Sequence, residues 1–209
     1  MAAFSKELLD PKECVMLIID HQPQMFFGVE STQRTAVMNN IVGLAKAMKV
    51  FEVPVIFSTI EAKTFSGPLY CALQNVFPDL VPIDRTNINA WEDKNVLKEV
   101  EKTKRKKLII AGLWTEACVC FPALCAKSDG FDVYAVTDAS AGATKEAHDM
   151  AIQRMIGAQV KPLTWAQVLL EFQRDWSHKK TYQQVMDIIK THAGAYGLGV
   201  EYAEAMLPQ

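Results

Sequence analysis

The chain has 209 residues, half of them apolar, and a formal charge of -2, so it can bury a sizeable core, and its length fits one domain over 1–209 better than two. An acidic balance excludes any general electrostatic attraction to nucleic acid, and the one basic run, Lys102 to Lys107, reads as a solvated helix end and turn. No stretch approaches the roughly 20 apolar residues that span a bilayer, Met1 to Asp10 lacks the parts of a signal peptide, and five irregularly spaced cysteines read as free thiols, so a cytoplasmic protein without a membrane partner is expected.

In chain order, the first apolar run is Cys14 to Ile19, ending at Asp20. Three similar runs follow at Pro54 to Phe57, Lys107 to Ala111 and Phe131 to Val136, and all four read as buried strands. Weaker strand candidates are Leu80 to Ile83 and Ala158 to Lys161. Between them lie stretches with helical spacing: Thr35 to Phe51, with Ile41, Leu44, Ala45 and Met48 on one face, and Lys145 to Ile156. Strands alternating with helices of this length imply right-handed crossovers and a three-layer αβα sandwich around a doubly wound, parallel, six-stranded Rossmann-like sheet. Helical patterns continue from Thr164 to Trp176 and from Thr181 to Thr191. The tail from Gly194 to Gln209 shows little periodicity and reads as frayed or docked on a neighbour, so 177–209 is expected to serve in oligomer contacts.

Ligands of open parallel sheets bind at the carboxyl ends of the strands. Three reactive side chains fall there: Asp20 after the first strand, Arg85 after the third and Cys118 after the fourth. Thr115 reads as the cap of a helix that places Cys118 in its first turn. The positive end of the helix dipole favours thiolate there, and the free N–H groups of the turn can accept an oxyanion. Asp20 is a candidate proton acceptor or a loop cap, and Arg85 a charge holder or an ordinary ion-pair partner. His21 could orient substrate or simply pack. Phe26, Phe27, Trp91 and Trp114 flank the strand ends and could wall a small-molecule pocket. Cys14, Cys71, Cys120 and Cys125 read as small buried apolar residues, and Cys118, Cys120 and Cys125 lack the pairing of a zinc site. Without a Gly-x-Gly-x-x-Gly turn after the first strand, a dinucleotide-binding oxidoreductase is a weak reading, and without a basic face or paired histidines so is a ribonuclease.

These residues resemble the isochorismatase-like cysteine hydrolases. The likeness rests on Asp20-x-Gln22, the basic position Arg85, the segment Ala111-Gly112-Leu113-Trp114-Thr115-Glu116-Ala117-Cys118-Val119, and Asp138, and it extends from about Cys14 to Trp176. Asn87 to Trp91, Cys118 to Leu124, Gly130 to Val133 and Arg174 to Trp176 resemble the YcaC-like subgroup in particular. The resemblance implies a triad of Asp20, Arg85 and Cys118, a cis peptide between Leu113 and Trp114, an oxyanion hole formed by the N–H groups of Trp114 and Cys118, and a large homo-oligomer, an octamer. Gln22, Phe26, Asn87 and Trp91 become the candidate substrate contacts. Most of the family carries Lys where Arg85 stands, and Arg does not readily shuttle protons, so Arg85 is expected to hold the thiolate, Asp20 or a substrate carboxylate electrostatically. The stretch Ser58 to Thr64 lacks the Asp-x-His cluster of metal-binding nicotinamidases, so no metal and no cofactor are expected. The activity implied is hydrolysis of a small amide, or a related ester, through an acyl-thioester on Cys118. The alternative is an oligomeric small-molecule-binding protein of the same fold with weak or no catalysis.

Overall fold

A computed structural model describes residues 5–207, so Met1 to Phe4 and the last two residues of the tail lie outside the described residues. The strands are β1 (Cys14–Ile19), β2 (Val55–Ile60), β3 (Ile83–Arg85), β4 (Lys107–Gly112), β5 (Asp132–Val136) and β6 (Lys161–Leu163). All pairs are parallel, in the order β3-β2-β1-β4-β5-β6. The helices are α1 (Pro23–Phe27), α2 (Arg34–Val50), α3 (Cys71–Val76), α4 (Lys94–Lys102), α5 (Cys120–Ser128), α6 (Lys145–Gly157), α7 (Trp165–Gln173), α8 (Lys179–His192) and α9 (Ala195–Met206). This is the expected doubly wound α/β sandwich.

The period of two along each strand sorts its residues between two cores. Cys14, Met16 and Ile18 of β1 join Ile109, Ala111, Tyr134 and Val136 against α2, α7 and α8. Val15, Leu17 and Ile19 join Leu108, Ile110, Val133 and Ala135 against α4, α5 and α6. Both faces are covered, which is why these strands read as unbroken apolar runs without alternation.

Strand limits moved where pairing, and not apolarity, sets them. β2 extends to Ile60 because its polar residues Ser58 and Thr59 pair with Ile83 and Asp84. β3 lies later than the run from Leu80, so Arg85 is its last residue. β6 begins only at Lys161, because Gln159 sits at φ 64 in the turn before it. Helix α7 stops at Gln173 because Arg174 adopts φ 57, short of the expected Trp176. The tail read as frayed or docked on a neighbour forms α9: its apolar residues surround the helix without a stripe, and only Gly197 is buried, against α8.

Order reverses between β1 and β4: the chain moves outward from β1 through β2 to β3, then returns to lay β4, β5 and β6 on the other side. The loops after β1 and β4 therefore part and leave a crevice, the usual ligand position in such sheets.

Candidate active site

Asp20 follows β1 directly and takes φ 56, a left-handed conformation that Asp tolerates better than most residues. Its N–H still donates to Ser58 O at 2.9 Å, while its carbonyl accepts from Gln22 N–H at 2.8 Å. The strand thus ends in a sharp bend, and the carboxylate is fully buried at the crevice.

Arg85 reaches the same point across β2. Nη1 donates to Asp20 Oδ1 and Nη2 to Oδ2, both at 2.8 Å, and neither side chain has any exposed surface. Nη1 also meets Thr59 O at 3.2 Å and Nη2 meets Ile88 O at 3.3 Å. A bidentate guanidinium fork suits a carboxylate in a way that a lysine ammonium cannot. Of the three roles open to Arg85 in the sequence, the geometry fills one, the holding of Asp20. Burial raises the Asp20 carboxyl above its usual range, with Arg85 pulling against it.

Cys118 lies on a single π turn, Thr115–Val119, that leads from β4 into α5, and it is 5% exposed. Its thiol faces Asp20, close enough for the two groups to shift each other's proton affinity. Thr115 is not the expected cap: the residue before the turn is Trp114, no side chain caps it, and the Thr115 hydroxyl turns to His148. Nor does the helix start favour thiolate at rest. Burial, then the Asp20 charge, pushes the Cys118 thiol up to about 12, against the opposing pull of Arg85 and the Trp114 N–H. At rest the proton is favoured on the Cys118 sulfur, beside the Asp20 carboxyl group.

The Leu113–Trp114 peptide is cis, as the resemblance implied. Trp114 is anchored by Nε1 donating to Met25 O at 2.9 Å, and its ring passes over Gly28, where a Cβ would come within 2.2 Å of the indole. Gly112 is equally constrained, since a Cβ there would stand 2.9 Å from Ile19.

The expected substrate contacts fare differently. Phe26 stays beside the crevice, packed against His21 and Tyr70. Gln22 has its amide consumed: Nε2 donates to Ile60 O and Gly67 O, and Oε1 accepts from Ile60 N–H, so it fastens the loop after β2. Asn87 is exposed on the turn after β3. Trp91 is a core residue, 5% exposed, with Nε1 donating to Asp129 Oδ2 at 2.7 Å and its ring edge-on to Phe131. Asp129 and Phe131 precede β5, so Trp91 points to the opposite end of the sheet from Cys118. Asn89 causes this by accepting from Trp91 N–H and turning the chain inward.

His21 packs: its Nε2 lies 3.0 Å from Ala139 O, and burial lowers its pKa to about 4, so the neutral ring donates there. Asp138 Oδ1 accepts from Trp165 N–H and so seats the start of α7. Sequence reasoning missed the carbonyls of Thr59 and Ile88 and the loop from Ala139 to Thr144. Backbone acceptors leave no mark in a sequence, and only the proximity of His148 to the capping Thr144 hinted at the loop. All five cysteines are free, and among the described residues no group of three or more His, Cys, Asp or Glu is placed to hold a metal ion.

A family model for the Isochorismatase domain matches residues 14–167, about three quarters of the chain. The chain belongs to the isochorismatase family. Within that family it is 39% identical over 169 residues to the Escherichia coli protein named "Probable hydrolase YcaC", covering 80% of this chain and 81% of the relative. The solved structure of E. coli YcaC, described as an octameric hydrolase of unknown specificity, superposes with a TM-score of 0.92 at 33% identity, covering 98% of this chain and 100% of that one. YcaC from Pseudomonas aeruginosa, solved with hexane-2,5-diol and covalent acrylamide, gives a TM-score of 0.91 at 34% identity, covering 97% and 100%. The chain is an isochorismatase-family hydrolase of YcaC-like fold, and among its described residues no helix is long and apolar enough to cross a membrane.

Proposed function

We propose that the chain hydrolyses the C–N bond of a small, neutral amide, or a related ester, with Cys118 as nucleophile and Asp20 as proton carrier. The observation that carries this reading is the Cys118 thiol facing a buried carboxylate that Arg85 grips through both oxygens. A carboxylate raised by burial is a better base for a thiol than an exposed one. As the sulfur attacks the carbonyl carbon, its proton passes to Asp20 and the negative charge moves to the carbonyl oxygen, where the N–H groups of Trp114 and Cys118 receive it. Collapse of the intermediate breaks the C–N bond, the leaving nitrogen takes the proton from Asp20, and a thioester remains. Asp20 then takes a proton from water, the hydroxide attacks the thioester, and the sulfur leaves to regain that proton.

Three observations bear on the substrate. Arg85 spends its paired nitrogens on Asp20, so it offers no fork to a substrate carboxylate, and this favours a neutral acyl group. Phe27, Phe65 and Ile88, on the segments after β1, β2 and β3, are exposed, and apolar side chains at these strand ends suit a substrate with apolar parts. The covalent acrylamide of the P. aeruginosa relative is itself a small amide. We further propose that the chain is one domain over 1–209 and assembles as a homo-octamer like its E. coli relative, with 177–209 in the contacts.

Intact-protein mass spectrometry with iodoacetamide, alongside hydrolysis of an amide panel, tests the activity. Cys118 is expected to be alkylated faster than Cys120 or Cys125, and Asp20→Asn to slow that reaction about 100-fold. Equal labelling of the three thiols would refute the nucleophile. The raised Cys118 pKa favours one second reading, a binding protein that no longer turns over. It predicts thermal stabilisation by amides without hydrolysis, unchanged in Cys118→Ala.

A further inference from the structure

The turn that carries Cys118 is only five residues long and has no side-chain cap, so something outside it must fix its geometry. The loop from Ala139 to Thr144 and the first turn of α6 supply that support. Leu113 bridges to Ala141, Thr115 N–H donates to Ala141 O at 2.9 Å, and Ala143 N–H donates to Glu116 Oε1 at 2.9 Å. Thr115 Oγ1 lies 2.8 Å from His148 Nδ1. Gly142 lets these pieces close up: a Cβ there would stand 2.5 Å from Glu116 Oε2 and 3.1 Å from His148 Cβ. His148 has a fixed base, because α6 is capped by Thr144 Oγ1 accepting from Ala147 N–H at 3.0 Å.

The direction of the Thr115–His148 bond follows from chemistry. Burial lowers the His148 pKa, which keeps the ring neutral near pH 7, so Nδ1 can accept from the threonine hydroxyl while Nε2 carries the proton. The contact ties the first residue of the turn to a helix outside the crevice. Trp114, whose N–H faces the Cys118 sulfur, immediately precedes Thr115.

We infer that His148 is a positioning residue for the reaction at Cys118: through Thr115 Oγ1 it holds the π turn so that the thiol lies between Asp20 and the Trp114 N–H. The inference rests on the reading of Cys118 as nucleophile. Misplacement of a reacting atom by about 1 Å can cost about 100-fold in rate, so a loose turn has a measurable consequence even though His148 touches no reacting group.

The test is the second-order rate of Cys118 alkylation by iodoacetamide in the full-length protein, measured for His148→Ala, His148→Asn, Thr115→Val and the Ala/Val double variant, with the thermal midpoint of each. Asn can present Oδ1 as an acceptor near the position of Nδ1. His148→Ala and Thr115→Val should each slow alkylation about 10- to 100-fold by similar amounts. The double variant should be no slower than either single one, since both remove the same bond, and His148→Asn should recover most of the rate. A role in packing alone would lower the thermal midpoint without this pattern of rescue and non-additivity. Alkylation of His148→Ala at the wild-type rate overturns the inference, as does a His148→Asn variant as slow as His148→Ala. If His148→Ala does not fold, Thr115→Val against His148→Asn decides the point. Wild-type Cys118 reacting no faster than Cys120 would sink the nucleophile itself, and the inference with it; fast wild type with fast His148→Ala would sink the inference alone.

Discussion

Asp20 and Arg85 are opposite charges removed from water together, and their fork-to-carboxylate geometry is what makes that tolerable. Desolvation of the two ions is expensive, and a buried pair gains net stability only when its hydrogen bonds are nearly complete. Here both carboxylate oxygens are taken, and two carbonyls receive further guanidinium donors. Removing one partner leaves a buried charge with no counter-ion. Arg85→Ala is therefore expected to lower folding stability by about 3–5 kcal/mol, read by urea denaturation, while Arg85→Lys keeps a charge and loses less. A loss below about 1 kcal/mol for Arg85→Ala would show that Asp20 is neutral in the fold or that water reaches it, and would remove the argument for its role as base. That Asp20, Arg85 and Cys118 meet in one place was legible in the sequence because each ends or follows a strand, and strand ends share one edge of a parallel sheet. The directions of Trp91 and Gln22 were not legible, because side-chain direction within a short turn depends on its tertiary partners, Asp129 for one and Ile60 with Gly67 for the other.

Among the elements, α9 is the one whose exposure conflicts with its composition. A helix apolar on all sides is normally buried, yet Tyr196, Leu198, Tyr202 and Met206 are 46%, 56%, 62% and 75% exposed. Its single buried residue sets how closely it approaches α8: at Gly197 a Cβ would meet Ile189 O at 2.4 Å and Lys190 O at 2.8 Å. Those neighbours are backbone and cannot turn aside, so a side chain at 197 must lift the helix. Wild type is expected to sediment as an octamer in analytical ultracentrifugation, and Gly197→Val as smaller species with Cys118 labelling retained. An octamer that survives the substitution would place the contacts elsewhere. The sequence showed a tail without amphipathic period, and that is a correct description of α9; what it lacked was any means of distinguishing such a helix from a frayed end.

At the scale of the molecule, the αβα architecture was readable because both faces of the sheet are covered, making each central strand a continuous apolar run, whereas the strand order and the limits of the short edge strands β3 and β6 emerge only from pairing. The least readable feature is how α8, which lies beyond the family domain at 14–167, is held on the sandwich. Part of the answer is polar and sensitive to protons. His192 Nδ1 lies 2.9 Å from Asn39 Oδ1, its Nε2 2.9 Å from Lys46 Nζ, and Asn39 Nδ2 donates back to His192 O at 2.8 Å. A neutral ring fits both contacts, with Nδ1–H donating to Asn39 and Nε2 accepting from the lysine. Burial, and then Lys46, hold the His192 pKa below 6.5. Between pH 6.5 and that lower folded pKa the unfolded chain binds the extra proton and the folded one does not, so the stability from this contact is present above pH 6.5 and is lost as pH falls. His21 and His148 carry the same sign, whereas Asp20 and Asp138, raised by burial, carry the opposite one. Comparing wild type with His192→Gln cancels these common groups. Urea midpoints measured from pH 8 to pH 5 should fall more steeply in wild type than in His192→Gln, with the difference opening below pH 6.5 and amide exchange in α8 rising over the same range. Parallel slopes for the two proteins would mean that His192 takes its proton as readily in the fold as in the unfolded chain, and that the Lys46–His192–Asn39 contact does not hold α8 to α2.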